Sequence, residues 1–494
     1  MKKLCDFIRE LPATDKAAAF GVYPDSVNAI GADYVFMVNG GEEDFLVATG
    51  AAAVKFEGET VTCESCTYVV APKTHKNADA LREMFAFTAP QPVLKKTRTF
   101  GVGDRLGIAT PGHLRVFKEY DAYPILAQQS IRELNLTERT YEDVLDAASY
   151  YVFRDGYKDG FGADGDHLKK AEEIEYALSL GFSMITLDCS EHIRGGVEKL
   201  SPAELAAECK LSDELVARYI GKDIEIEGEK LVFDEDELRR CVLIYGEAIE
   251  FAAGIFKKYF KEGGAKADFE VSIDETATPT SPLQHYFAAN ELILRGVDVA
   301  TVAPRFCGEF QKGVDYIGDL AQFERELKTH AAIARHFGYK LSIHSGSDKF
   351  STFALIGKYT NGNFHVKTAG TNWLEAMRAV AAADPAMYRE IHAFALEKFA
   401  DAKKFYHVTT DLNKIPALDT LSDAELPTLF TMNDARQLIH ITYGFILTEK
   451  NADGSYRFKN RLYKFWRENE AVYSDMLYAH IGKHLAILYD GFRA

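Results

Sequence analysis

The stretch DGFGADGDHLKKAEEIEYALSLGFSMITLDCS, residues 159–190, carries a β-like run, a helical run and a second β-like run in succession. Two strands joined through a helix are the unit of a parallel sheet. The same alternation extends on both sides. Eight candidate strands lie between about 101 and 400: RLGIATP (105–111), PILAQQS (124–130), DGFGADGDH (159–167), FSMITLDCS (182–190), FEVSIDET (269–276), VDVATVAPRF (297–306), KLSIHSGS (340–347) and FHVKTAG (364–370). Each is followed by a segment able to form a helix, such as AQFERELKTHAAIARHFG (321–338). Eight β/α units in a row predict a closed (β/α)8 TIM-like barrel. A long acidic helical insertion, about 191–265, separates the fourth unit from the fifth. A doubly wound open sheet is the alternative, but no GxGxxG follows a strand and opens a helix.

The flanking zones read differently. Residues 1–100 alternate short apolar runs with Gly and Asn (YVFMVNG, DFLVATG, TVTCESCTYVVAP), which predicts an N-terminal β-rich α+β domain. Residues 401–494 are aromatic at helical spacing (RLYKFWRENEAVYSDMLYAHIGKHLAILYDGF), which predicts a helical extension packed on the barrel.

Composition narrows the functional classes. The 494 residues carry 57 Lys+Arg against 74 Asp+Glu, a net charge of −17, so the average field repels nucleic acid. No run of about 18 apolar residues predicts a membrane span, and MKKLCDFIRELPATD gains charge and Pro12 before a signal-peptide core forms. The seven scattered cysteines fit a reducing compartment, and a cytoplasmic protein is expected. Cys63 and Cys66 form a lone CxxC without the partner pair that a zinc ribbon needs. A homo-oligomer is compatible with the sequence.

In such barrels the active site lies at the C-terminal strand ends, where polar residues concentrate here. Asp166–His167 offers a carboxylate beside an imidazole, a base next to a ligand for Zn, Mn or Ni. A helix N-cap role for Asp166 is the competing reading. His344, before Ser345–Gly346–Ser347, offers a second ligand; a buried histidine bonded to backbone is its alternative. His365 is taken as the third metal ligand, with Asp188 and Asp274 as substitutes. Glu275 is the candidate acid opposite the base, or else a structural partner of Arg305. Arg305 and Lys367 are candidates for holding a substrate carboxylate. Gln128 and Gln129 are candidates for hydrogen bonds to sugar hydroxyls, or else core amides.

The segments GDRLGIATPGH, ILAQQSIREL, FGADGDHLK, VSIDETATPTSP, LSIHSGSDKF and FHVKTAGTNWLEA resemble the tagaturonate/fructuronate epimerase family of hexuronate catabolism. The resemblance implies a metal-dependent (β/α)8 isomerase acting on small ketouronates, with Asp166 and Glu275 catalytic and His167, His344 and His365 on a divalent cation. Asp166–His167 and His344–Ser–Gly–Ser are also similar to signatures of class II metal-dependent aldolases. That implies Asp166 as the proton shuttle and retro-aldol chemistry. A true aldolase or sugar isomerase on the same barrel, and a noncatalytic carbohydrate-binding protein, are the competing functions.

Overall fold

Short, uniformly buried runs such as TVAP (301–304) and KLSI (340–343) put Val302 and Pro304, or Leu341 and Ile343, on the side facing the helices, and Thr301 and Ala303, or Lys340 and Ser342, on the other. Strands of that kind form a parallel sheet covered on one face, and here the sheet closes. A computed structural model of the chain describes residues 2–63, 66–276 and 278–493.

The N-terminal strands are β1 (Asn28–Ile30), β2 (Asp33–Asn39), β3 (Asp44–Thr49), β4 (Glu59–Cys63) and β5 (Cys66–Pro72). They form an antiparallel sheet in the order β1-β2-β3-β5-β4. The barrel follows with β6 (Arg98–Val102), β7 (Tyr123–Ser130), β8 (Gly162–Leu168) and β9 (Met184–Asp188). A small hairpin, β10 (Ile224–Ile226) and β11 (Glu229–Leu231), belongs to the insertion, with the long helix Glu235–Ile255. The barrel resumes with β12 (Asp268–Ile273), β13 (Thr301–Pro304), β14 (Lys340–Ile343) and β15 (Phe364–Thr368). All eight strands pair in parallel, and closure comes from β15 on β6 and from β9 on β12.

The first barrel strand differs from the sequence reading, which placed it at 105–111. The strand is Arg98–Val102; 105–109 is the loop above it, and Thr110–Pro111 already open the next helix. The Asp104 carboxylate accepts hydrogen bonds from the backbone N–H of Leu106, Gly107 and Ala109, and Gly107 has φ +74°. That capture folds the segment back before the helix Thr110–Phe117 begins. The cysteines also differ: Cys5 and Cys63 form a disulfide, which ties the N-terminal helix Lys2–Glu10 to the sheet.

Two smaller apolar cores pack the N-terminal sheet, and two large ones hold the barrel and the C-terminal extension. One lies between the barrel strands and their helices; the other, built around Trp373, Tyr388, Leu438 and Trp466, fills the C-terminal extension. The last helix, Glu470–Arg493, crosses the barrel helix Phe350–Tyr359 at two glycines. A Cβ on Gly357 would stand 2.0 Å from the Leu488 carbonyl, and one on Gly491 would stand 2.1 Å from that of Ala354. Such close backbone approach is open only to glycine. It fixes the extension against the helix that follows β14. No helix among the described residues is long and apolar enough to cross a membrane.

Candidate metal centre and active site

Side chains alternate along a strand, so residues two apart share a face. On β8 the inward pair is Asp164 and Asp166. On β12 it is Glu270 and Ser272, with Asp274 just beyond the strand. On β15 it is His365 and Lys367. These residues fill the barrel with a polar network instead of the usual branched aliphatic layers. Above it, at the C-terminal strand ends, opens a cavity of about 410 Å3 lined in part by Asp166, His167, Asp188, Asp274, Glu275 and His344.

The backbone is bent to aim the imidazoles. Strand β8 bulges against β9 between Gly165 and Leu168, and His167 takes φ +57°. Ser345 and Asp348, in the loop after β14, have φ +50° and +64°. A left-handed conformation at a non-glycine residue costs about 1–3 kcal/mol, and such residues cluster at functional sites. Gly346 packs where a Cβ would meet Val366 Cγ1 at 2.6 Å, and its N–H donates to the Lys367 carbonyl. The loop carrying His344 is thus seated on the end of β15.

Three donor groups converge. The rings of His167 and His344 lie 4.8 Å apart, and Asp274 stands beside both. Asp274 Oδ1 is 3.9 Å from His167 Nε2, and Oδ2 is 3.2 Å from His344 Nδ1. Ligand atoms of these three residues all lie within 4.8 Å of one another. The far nitrogen of each ring is held by a carboxylate: His167 Nδ1 by Asp166 at 2.7 Å, His344 Nε2 by Glu270 at 2.8 Å. Carboxylate–imidazole pairs of this kind orient the ligands of metal centres. Two imidazole nitrogens and a carboxylate oxygen are a donor set suited to Zn, Mn or Ni.

The charges fit a cation as well. Asp164, Asp166 and Glu270 surround one lysine, Lys367, whose Nζ is 2.7 Å from Asp164, 2.5 Å from Asp166 and 3.3 Å from Glu270; Asp274 adds a fourth carboxylate beside the two imidazoles. Burial opposes a charge on His344, but Asp274 and Glu270 overcome it and push its pKa up to about 10. Burial likewise disfavours a charged His167, and Asp166 outweighs it, so His167 is also raised. Burial raises Asp166, yet Lys367 and His167 prevail and hold it far below the usual carboxylate range.

The residues singled out from sequence divide. Asp166, His167 and His344 meet at one cavity; Glu275 stands at its mouth, with a 43 % exposed side chain 3.9 Å from Lys169. His365 does not join them. It sits a layer deeper, fully buried, with Nδ1 2.9 Å from Thr99 Oγ1. Burial drives its pKa down to about 3. The third group within reach of both imidazoles is Asp274, one of the two substitutes. Lys367 is bound by three carboxylates, Asp164, Asp166 and Glu270. Gln128 reaches the cavity, with its amide over Gly101 and Nε2 donating to the Thr368 carbonyl, whereas Gln129 is buried away from it. Arg305 lines an adjoining cavity of about 290 Å3. Asp164, Glu270 and Lys312 were not foreseen. For Asp164 and Glu270 the signal was the period-two polar pattern of the strands, in which Asp164 and Asp166, and Glu270, Ser272 and Asp274, recur at every second position; Lys312 lies on a turn and carried no such signal.

A sequence model of the family described as UxaE, tagaturonate epimerase, matches residues 23–488. A tagaturonate/fructuronate epimerase of Thermotoga maritima is 44% identical over 434 residues, which span 86% of this chain and 87% of that one. The native crystal structure of a fructuronate-tagaturonate epimerase from Cohnella laeviribosi superposes with a TM-score of 0.93, at 49% identity over 99% of both chains. The same enzyme in complex with one glycerol gives the same TM-score, identity and coverage.

Proposed function

The chain belongs to the tagaturonate epimerase family and is an isomerase that interconverts D-tagaturonate and D-fructuronate; we propose that it inverts its substrate by retro-aldol cleavage and re-addition beside a divalent cation held by His167, His344 and Asp274. The observation that supports the cation is the convergence of those three groups, with the far nitrogen of each imidazole fixed by Asp166 or Glu270.

The two ketouronates differ at one hydroxyl-bearing carbon, β to the ketone. Its C–H is not acidified by the carbonyl, so direct removal of that hydrogen is unfavourable. The bond between this carbon and the α carbon can break instead. Asp166 is the group that takes the proton of the hydroxyl on the inverting carbon. That carbon then becomes an aldehyde, and the three-carbon ketone fragment becomes an enediolate. A divalent cation at the site would supply Lewis-acid stabilisation of the charge developing on the ketone side. The aldehyde turns within the cavity, the carbon–carbon bond re-forms on its other face as the enediolate returns to the ketone, and Glu275 returns a proton to the new alkoxide; Asp166 then gives its proton to solvent and Glu275 takes one from it, which restores both groups. Lys367 keeps Asp166 ionised and fixed in place between turnovers. Gln128 stands within the same cavity, where its amide is available to a sugar hydroxyl.

Incubation with D-tagaturonate in D2O, followed by proton NMR, tests this route. The account expects fructuronate that retains protium at the inverted carbon, and loss of product signal with chelator that is reversed by Mn2+, Zn2+ or Ni2+. Deuterium at the inverted carbon contradicts the retro-aldol route. Full activity in excess chelator contradicts the cation.

A further inference from the structure

A hexuronate carries a carboxylate at the end of the molecule remote from its ketone, and the cavity needs a cation to receive it. Most cations at the cavity are already committed. Lys367 is enclosed by Asp164, Asp166 and Glu270. Lys169 stands 3.4 Å from Asp188, 3.8 Å from Glu191 and 3.9 Å from Glu275. Lys170 is exposed. Lys312 is different. It borders both cavities, and its Nζ donates to Ser345 Oγ at 3.3 Å. Among the described residues it has no ion-pair partner. Burial lowers its pKa, against the pull of Glu133, as expected for a desolvated ammonium group with no carboxylate in contact. Arg132 borders the same two cavities, its guanidinium stacked 5.1 Å over the Tyr406 ring, and it too has no ion-pair partner among the described residues.

The loop bearing Lys312 is held from three sides. Lys349 Nζ donates to the carbonyls of Gln311 at 2.8 Å and Val314 at 2.6 Å. Gln437 Nε2 donates to the Lys312 carbonyl at 3.2 Å and to Gln311 Oε1 at 3.1 Å. Arg436 Nε donates to the Gly313 carbonyl at 2.7 Å. Gln437 and Arg436 come from the C-terminal extension. An unpaired ammonium group in a desolvated place is costly unless an anion joins it. Here a dense set of hydrogen bonds fixes the loop that puts it there.

We infer that Lys312, with Arg132 beside it, seats the carboxylate of the ketouronate, and that the C-terminal extension builds this seat. The inference rests on the hexuronate reading of the site and adds the residue that recognises the acid group. Ser345 directly follows the ligand His344, so the seat adjoins the metal centre. The carboxylate would displace the Ser345 hydroxyl from Lys312 or share the ammonium with it.

The test compares the parent, Lys312→Met, Lys312→Arg and Arg132→Ala by KM and kcat for D-tagaturonate. It also measures the inhibition constant of D-tagatose, which has an alcohol in place of the carboxylate. A hydrogen-bonded ion pair at such a site corresponds to about a 10- to 100-fold change in binding. Lys312→Met should raise KM by about that factor while bound metal per chain stays unchanged. Lys312→Arg should recover part of the loss, and Arg132→Ala should show a smaller rise. The D-tagatose constant should move by less than about twofold, since no charge pair is lost with the neutral sugar. An active parent with an unchanged KM in Lys312→Met overturns the inference alone. So does an equal weakening toward D-tagatose. A metal-loaded parent that does not epimerise D-tagaturonate overturns the functional reading on which the inference rests.

Discussion

Two levels of the barrel interior contain the same kinds of side chain and differ in what those side chains can do. At the upper level, His167 and His344 each present one nitrogen to Asp274 and rest the other on a carboxylate. At the lower level, His365 faces the Thr99 hydroxyl, and Lys340 Nζ donates to the same hydroxyl at 2.9 Å and to the Lys96 carbonyl at 2.6 Å. Carboxylates push His344 up to about 10; burial pushes His365 down to about 3 and Lys340 down to about 7. An imidazole inside a barrel is therefore a ligand or a neutral packing element according to its partners, not its type. The carboxylates that charge these imidazoles stand at the upper level.

The sharpest way to break this contrast is to remove one ring from each level. His167→Ala or His344→Ala should lose the bound cation and reduce turnover by more than about 1,000-fold. Metal analysis after gel filtration, followed by rate measurement, checks both. Asp166→Asn should lower kcat by about 100- to 10,000-fold while metal content is retained, which separates a proton-transfer role from a ligand role. Glu270→Gln leaves His344 in place but weakens the acceptor on its far nitrogen, so metal affinity should fall by about 10- to 100-fold in a chelator competition.

The pH dependence of metal uptake follows from the raised imidazoles. A group whose pKa is raised holds its proton below that value, and a cation must displace it. Apparent metal affinity should therefore rise from pH 6 to pH 8, by about 10-fold per pH unit for each proton displaced. An affinity that is flat over this interval contradicts protonated imidazoles at the empty site. The smallest effect belongs to the lower level: His365→Gln should keep its metal and stay within about threefold of parental turnover, at a stability cost of about 1–3 kcal/mol seen in thermal unfolding.

Much of the barrel was legible because seven of its strands are short runs, six of them largely apolar or β-branched, that alternate with helices; GADGDHL (162–168) is the polar exception. The strand before them was hidden. RLGIATP alternates like a strand, but the Asp104 side chain gathers three backbone N–H groups and turns it into a loop. Among candidate site residues, Asp166, His167 and His344 stand where a strand meets its loop, and sequence marks that junction. Depth along a strand is not marked. His365 lies opposite Thr99 and Ser342, two residues below Lys367, and only the register reveals that it is beneath the cavity floor. Lys312 escaped notice for another reason: its position depends on Gln437 and Arg436, more than 120 residues further along the chain.

X-ray absorption at the metal edge of protein loaded with one equivalent of Zn2+ tests the central claim most directly. The account predicts a first shell of nitrogen and oxygen with the outer scattering of two imidazoles, reduced to one in His344→Ala. A shell of sulfur, or imidazole scattering unchanged in both His167→Ala and His344→Ala, would contradict it.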